Sequence, residues 1–161
     1  RSSDLISQES LVTAAGAAVS ALPADARIHL VGESLGSGVA CAVAGAEPKR
    51  IAGLLLITPF NSMLDVASYH YPWLPVSLLL SDRYLSEQAL ISYPGPLAVV
   101  VAADDDVIPP AFGERLYTGF GGTKKLWKVP GAGHNTIMGI AGWWAPAARF
   151  VSAREAPITN P

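Results

Sequence analysis

Residues 27–46, RIHLVGESLGSGVACAVAGA, constrain the fold more than any other stretch of this sequence. Ile28 to Val31 form a short apolar run with β-branched residues, which predicts a buried strand. Gly32 to Gly36 have the pattern G-x-S-x-G, which predicts a tight turn. Ser37 to Ala46 are small and mostly apolar, which predicts a helix that packs closely on a sheet. A strand, a sharp turn and a helix therefore follow one another directly.

This succession is the setting of a nucleophile elbow. On such a turn the Ser34 hydroxyl projects from the carboxyl end of the strand, and we expect a backbone approach so close that Gly32 and Gly36 must lack Cβ atoms. Glu33 and Leu35 flank the serine, and the Leu35 amide points to where an oxyanion would form. Because the chain has 15 glycines, a chance match is about one in ten, and the pattern needs support from other residues.

Composition excludes several classes of protein. The 161 residues are 50% hydrophobic and 15% charged, which predicts a single globular α/β domain over residues 1–161. The formal net charge is −2, and the densest positive group, Lys124, Lys125 and Lys128, interrupts a strand-like stretch. We therefore expect no nucleic-acid partner.

The cysteine count and the hydropathy pattern are the sequence features that bear on the cellular compartment of the protein. Cys41 is the single cysteine, so no intrachain disulfide can form, and its alanine-rich surroundings indicate a small core residue. The sequence has no apolar run of about 18 residues and no signal-peptide pattern at its start. We therefore expect no transmembrane segment and a soluble, cytoplasmic protein.

Strand-like and helix-like segments alternate along the rest of the chain. Helices are predicted over residues 8–22, where Pro23 ends the pattern, over residues 110–117, and near the end of the chain as far as about Ala153. Continuous apolar runs predict buried parallel strands at 51–57 and 96–102, and a further strand is predicted at 124–129. With the strand before Gly32, these segments predict a doubly wound parallel sheet of about four strands.

Residues 61–93 interrupt this alternation. The segment contains Pro72 and Pro75, is followed directly by Pro94, and holds the aromatic group Tyr69, Tyr71 and Trp73. We interpret it as an insertion of short helices across the mouth of the sheet, with Leu78 to Leu80 turned inward. It forms either a lid or additional packing, and the composition favours neither. His70 belongs to no recognisable motif, and we expect it to be a surface or packing residue.

Three chemically suited residues follow predicted strands. Ser34, an aspartate of the run 104–106 and His134 lie at carboxyl ends of strands, the edge where open parallel sheets bind ligands. A serine hydroxyl needs an adjacent base, which an imidazole supplies, and the imidazole needs a carboxylate on its other nitrogen. The order Ser, Asp, His is that of α/β-hydrolases. The three consecutive aspartates are not expected to bind a metal, because neighbouring side chains point apart and calcium-loop spacing is absent.

The chain resembles the α/β-hydrolases and, within them, the Bem46-like, ABHD-type serine hydrolases. The motifs that carry this resemblance are Gly32–Gly38, Asp105–Pro110, Gly131–Asn135, Thr58–Phe60 and Tyr71–Pro75. The resemblance implies a serine hydrolase that cleaves carboxylic esters or thioesters through an acyl-enzyme, without a cofactor or metal.

The same resemblance implies roles for particular residues. Ser34 is the nucleophile and His134 the base. The family pattern D-x-x-[VI]-P selects Asp105 as the acid, counted back from Pro109, with Asp104 and Asp106 as alternatives. Phe60, Tyr71 and Trp73 are candidates for a substrate wall; they suit an apolar acyl or alcohol group, although the same composition serves packing.

The chain departs from the family in its first part. Such hydrolases have several strands before the elbow strand and a loop there that supplies a second oxyanion donor. The sheet is therefore expected to be truncated at its amino-terminal side, and strand 28–31 to have an open edge that can pair with a second copy or a partner chain. Two alternatives to a complete enzyme stay open. One is a non-catalytic binding or assembly module, and the other is a fragment whose partner chain carries the early strands.

Overall fold

The computed structural model describes residues 7–153, in which seven helices surround four strands. The helices are α1 Gln8–Ser20, α2 Leu35–Ala46, α3 Met63–His70, α4 Val76–Leu79, α5 Ser86–Ala89, α6 Pro110–Gly119 and α7 Trp144–Ser152. The strands are β1 Ile28–Glu33, β2 Ile51–Ile57, β3 Leu97–Ala102 and β4 Lys124–Val129. Short 3₁₀ turns follow α5 and precede α7.

The four strands form one parallel sheet in the order β1-β2-β3-β4. Since each strand runs in the same direction, the loops after all four meet at one edge of the sheet. The doubly wound fold class and the number of strands predicted from the sequence are confirmed. The predicted bounds of β2 and β4 coincide with those of the structure.

Both faces of the sheet are covered, which explains the continuous apolar runs of β2 and β3. Leu54, Leu56 and Val99 face α1, α2 and α6, whereas Leu55 and Val100 face α7 and the segment before it. Successive strand residues thus enter opposite layers of the core. The alternation fixes the register of the sheet and therefore the positions of the four loops at its carboxyl edge.

Helix α2 lies directly on the sheet, as its small residues predict. Cys41 has no exposed surface there, and burial raises the pKa of its thiol to about 12. A thiol at that pKa contains almost no thiolate at neutral pH, so Cys41 is not a candidate nucleophile.

The two outer strands of the described sheet differ in character. β4 carries Lys125 and Lys128 with exposed side chains, and charged residues of this kind discourage pairing at an edge. β1 instead exposes Val31, and an apolar groove lined by residues of α1, β1 and α2 lies beside it. The unpaired side of β1 therefore lacks the protection that β4 has.

The insertion is built as short helices, but one expectation about it is wrong. Leu78 and Leu79 are 84% and 66% exposed, whereas the expectation from the sequence is that Leu78 to Leu80 turn inward. The interior beneath the insertion is filled by a separate cluster, which comprises Phe60, Val66, Tyr84, Ile108 and Phe112. The four-residue helix α4 therefore stays outside. No helix within residues 7–153 combines the length and apolar character that crossing a bilayer requires.

Candidate active site

Ser34 occupies a strained turn between β1 and α2. Its backbone has φ 51° and ψ −122°, a conformation that costs about 1–3 kcal/mol outside glycine. The Ser34 amide donates to the Ile57 carbonyl at 3.0 Å, and the Ser37 hydroxyl donates to the Ser34 carbonyl at 2.6 Å. These bonds fix the peptide groups on both sides of Ser34 and orient its hydroxyl above the carboxyl edge of the sheet.

The two glycines of the elbow are not equivalent. A Cβ at Gly32 would lie 2.5 Å from the Gly36 carbonyl oxygen and 2.7 Å from the Ser37 Cα, which are both backbone atoms. A Cβ at Gly36 would meet no atom within 4 Å. The expectation that both positions exclude a side chain is therefore wrong for Gly36. The crowding arises because the Gly36 backbone itself fills the space beside Gly32.

We predict that Gly32→Ala disrupts the elbow and that Gly36→Ala does not. The contacts at residue 32 are with backbone that cannot move independently, so the substitution should destabilise the protein by about 1–3 kcal/mol. Gly36→Ala is the matched control, and it adds a good helix former near the start of α2. Urea unfolding measures both variants, and equal midpoints for the two variants would contradict the prediction.

The side chains of Ser34, His134 and Asp105 form one hydrogen-bonded series. His134 Nε2 lies 3.0 Å from Ser34 Oγ, and His134 Nδ1 lies 2.8 Å from Asp105 Oδ2. The carboxylate accepts, so Nδ1 carries a proton and donates, and the Nε2 lone pair faces the serine hydroxyl. In this arrangement Nε2 can take the Ser34 proton while the carboxylate stabilises the resulting imidazolium.

Asp105 is distinguished from its neighbours by burial and by its backbone donors. It is 6% exposed, and its Oδ1 accepts hydrogen bonds from the amides of Val107 at 2.9 Å and Ile108 at 2.8 Å. Asp104 and Asp106 are exposed. The loop thus turns Asp105 inward with both carboxylate oxygens engaged. Among residues 7–153 no cluster of potential metal ligands is found.

The His134 loop is held by hydrogen bonds that the sequence alone does not reveal. Gly131 has φ +69°, a conformation that glycine adopts without strain. The Gly133 amide donates to the Thr136 hydroxyl at 2.9 Å, and the Asp104 amide donates to the Ala132 carbonyl at 2.8 Å. The second bond ties the acid loop to the histidine loop. A threonine three residues beyond a glycine is a weak local signal for such a turn.

The three candidates for a substrate wall lie in different environments. Phe60 has no exposed surface and packs edge-on against Tyr84, so its ring is not available to a ligand in this conformation. Tyr71 and Trp73 are exposed, and their ring centroids lie 6.3 Å apart. They follow α3 directly and form an aromatic surface on the insertion.

Comparison with known proteins identifies the fold. A monoacylglycerol lipase from Paleococcus ferrophilus superposes with a TM-score of 0.66 over 91% of this chain and 76% of its own, at 19% identity. The chain has the α/β-hydrolase fold. Acetyl xylan esterase 1 from a Thermoanaerobacterium species matches this fold with a TM-score of 0.64 at 20% identity, over 87% of this chain and 50% of its own.

Similarity in sequence extends to proteins that are themselves uncharacterised. An uncharacterised protein of Mycobacterium tuberculosis is 42% identical over 110 residues, which are 68% of this chain and 38% of the relative. The chain therefore spans about two fifths of the length of that curated relative. No family model matches the chain, and the narrower resemblance to Bem46-like hydrolases stays a prediction within the α/β-hydrolase fold.

Proposed function

We propose that this chain carries the catalytic residues of a serine hydrolase that cleaves carboxylic esters or thioesters. The observation that carries the proposal is the series Ser34–His134–Asp105, with distances of 3.0 and 2.8 Å. Each residue comes from a different loop at the carboxyl edge of the sheet. A chance meeting of these three side chains in this order on an α/β-hydrolase fold is a poor alternative explanation.

In the proposed reaction Ser34 Oγ attacks the substrate carbonyl carbon, and its proton passes to His134 Nε2. His134 then protonates the departing alcohol or thiol, which leaves an acyl group on Ser34. Water, deprotonated by the same imidazole, releases the carboxylic acid and restores the serine. Leu35 is the first residue of α2, so its amide has no helical hydrogen-bond partner four residues before it and can donate to the oxyanion.

A fluorophosphonate probe tests the proposal directly, since it phosphonylates serines that an adjacent base activates. We expect one label per chain, located at Ser34 by peptide mapping. Hydrolysis of p-nitrophenyl esters of increasing acyl length then tests the substrate class, and the exposed Tyr71 and Trp73 support a preference for apolar acyl groups. Thioester analogues of the best ester decide between the two bond types. A folded protein that the probe does not label would contradict the proposal.

We also propose that the open edge of β1 pairs with a further strand, which in a purified sample of these 161 residues is supplied by a second copy of the chain. The exposed Val31 and the adjacent apolar groove support this proposal, because an unprotected apolar edge favours strand pairing. Val31→Lys should weaken association by about tenfold or more, since an interface would bury the charge.

Sedimentation velocity over a range of concentrations measures this association. Ile91→Lys is the matched control, because Ile91 is also exposed but lies outside the groove and outside β1. A monomer at every concentration would refute pairing between copies of the chain. The cytoplasmic location stays a prediction from the sequence.

A further inference from the structure

His70, at the end of α3, contacts the loop that holds the proposed acid. Its Nε2 lies 2.7 Å from the Val107 carbonyl oxygen. A carbonyl oxygen can only accept, so Nε2 carries a hydrogen and donates it. The sequence predicts a surface or packing residue at position 70, and the His70 side chain is indeed exposed. Its hydrogen-bond partner nevertheless connects it to the candidate active site.

The connection runs through a single peptide group. The Val107 carbonyl and the Ile108 amide belong to the same planar unit, and the Ile108 amide donates to Asp105 Oδ1 at 2.8 Å. Donation to the carbonyl side of a peptide polarises its N–H and strengthens the bond that this N–H makes. His70 therefore both restrains the peptide and improves one of the two amides that orient the carboxylate.

Helix α3 is anchored independently of His70. Asp65 and Arg115 of α6 form an ion pair at 3.5 Å, and the rings of Tyr69 and Phe112 meet edge-on with centroids 5.9 Å apart. Val66 is buried in the cluster beneath the insertion. His70 thus extends from a fixed helix, so its hydrogen bond can hold the loop in place and does not simply follow the loop's movement.

We propose that His70 is a positioning residue that acts on Asp105 through the 107–108 peptide. The proposal rests on the proposed function in so far as Asp105 serves the hydrolysis. The insertion then has a defined role, because α3 stabilises the loop that carries Asp105. His70 is not itself one of the three hydrogen-bonded residues Ser34, His134 and Asp105, so it is not a catalytic residue.

Three substitutions separate the hydrogen bond from the bulk of the ring. His70→Gln keeps an amide nitrogen near the position of Nε2, whereas His70→Asn places its amide nearer the position of Nδ1 and His70→Ala removes the donor. For Ala and Asn we expect kcat on a p-nitrophenyl ester to fall about three- to tenfold with KM unchanged. His70→Gln should restore most of kcat. Ser68→Ala, on the same helix, is the matched control and should leave both constants unchanged.

Amide hydrogen exchange tests the same proposal without turnover. Exchange at Ile108 should be about five- to tenfold faster in His70→Ala and His70→Asn than in the unsubstituted protein or in His70→Gln. Unchanged exchange at Ile108 in all variants would overturn the proposal, as would equal losses of kcat in the Gln and Ala variants. If the unsubstituted protein is neither active nor labelled at Ser34, the proposed function fails, and exchange at Ile108 alone decides the role of His70.

Discussion

Ser34→Ala is expected to lower kcat for ester hydrolysis by about 10⁴-fold or more and to abolish fluorophosphonate labelling. Without Oγ no acyl-enzyme can form, and His134 Nε2 loses the hydroxyl that lies 3.0 Å away. The substitution removes one oxygen from a partly exposed position, so it should change the free energy of unfolding little. Initial rates with a short p-nitrophenyl ester, together with thermal unfolding, measure both quantities.

A matched serine shows whether the loss is specific to this position. Ser20→Ala, at the exposed end of α1, should retain the full rate and the label. If Ser34→Ala hydrolyses the ester as fast as the unsubstituted protein, the turnover comes from elsewhere on the surface. The chain would then be a non-catalytic binding or assembly module, which is the alternative that the sequence left open.

The strands were predictable because burial on both faces leaves a simple pattern. The run of β2 is apolar at every position except Gly53 and is bounded by Arg50 and by Thr58-Pro59, so both ends could be predicted. The insertion offers no such pattern. Its helices α4 and α5 have four residues each, too few for one apolar face to show a helical period. The burial of Tyr84 in place of Leu78 and Leu79 depends on tertiary contacts.

The positions of the candidate site residues followed from the topology, but the contacts between them did not. Parallel strands bring Ser34, Asp105 and His134 to one edge of the sheet, whatever conformations their loops adopt. The spacing of residues could not reveal that Gly36 has room for a Cβ while Gly32 does not. The crowding depends on which backbone atoms of the folded turn lie beside each Cβ position. The spacing could not reveal the contact of His70 with Val107 either, since the two lie 37 positions apart in the sequence.

Asp105→Asn is expected to lower kcat by about 10⁴-fold while leaving the fold intact. The structure gives a specific reason beyond the loss of charge. The amides of Val107 and Ile108 both donate to Oδ1, so an asparagine must place its own oxygen there. Its NH₂ group then faces His134 Nδ1 in the position of Oδ2.

An NH₂ group donates, so Nδ1 would have to accept and the ring proton would move to Nε2. His134 would then face the Ser34 hydroxyl with a proton already in place and could not act as a base. Asp104→Asn and Asp106→Asn are matched controls, since both side chains are exposed, and each should change kcat by less than about threefold. A loss at either control comparable to that at position 105 would assign the acid to a different residue. With both controls active and Asp105→Asn inactive, the two backbone donors to Oδ1 explain why only one of three adjacent aspartates serves the histidine.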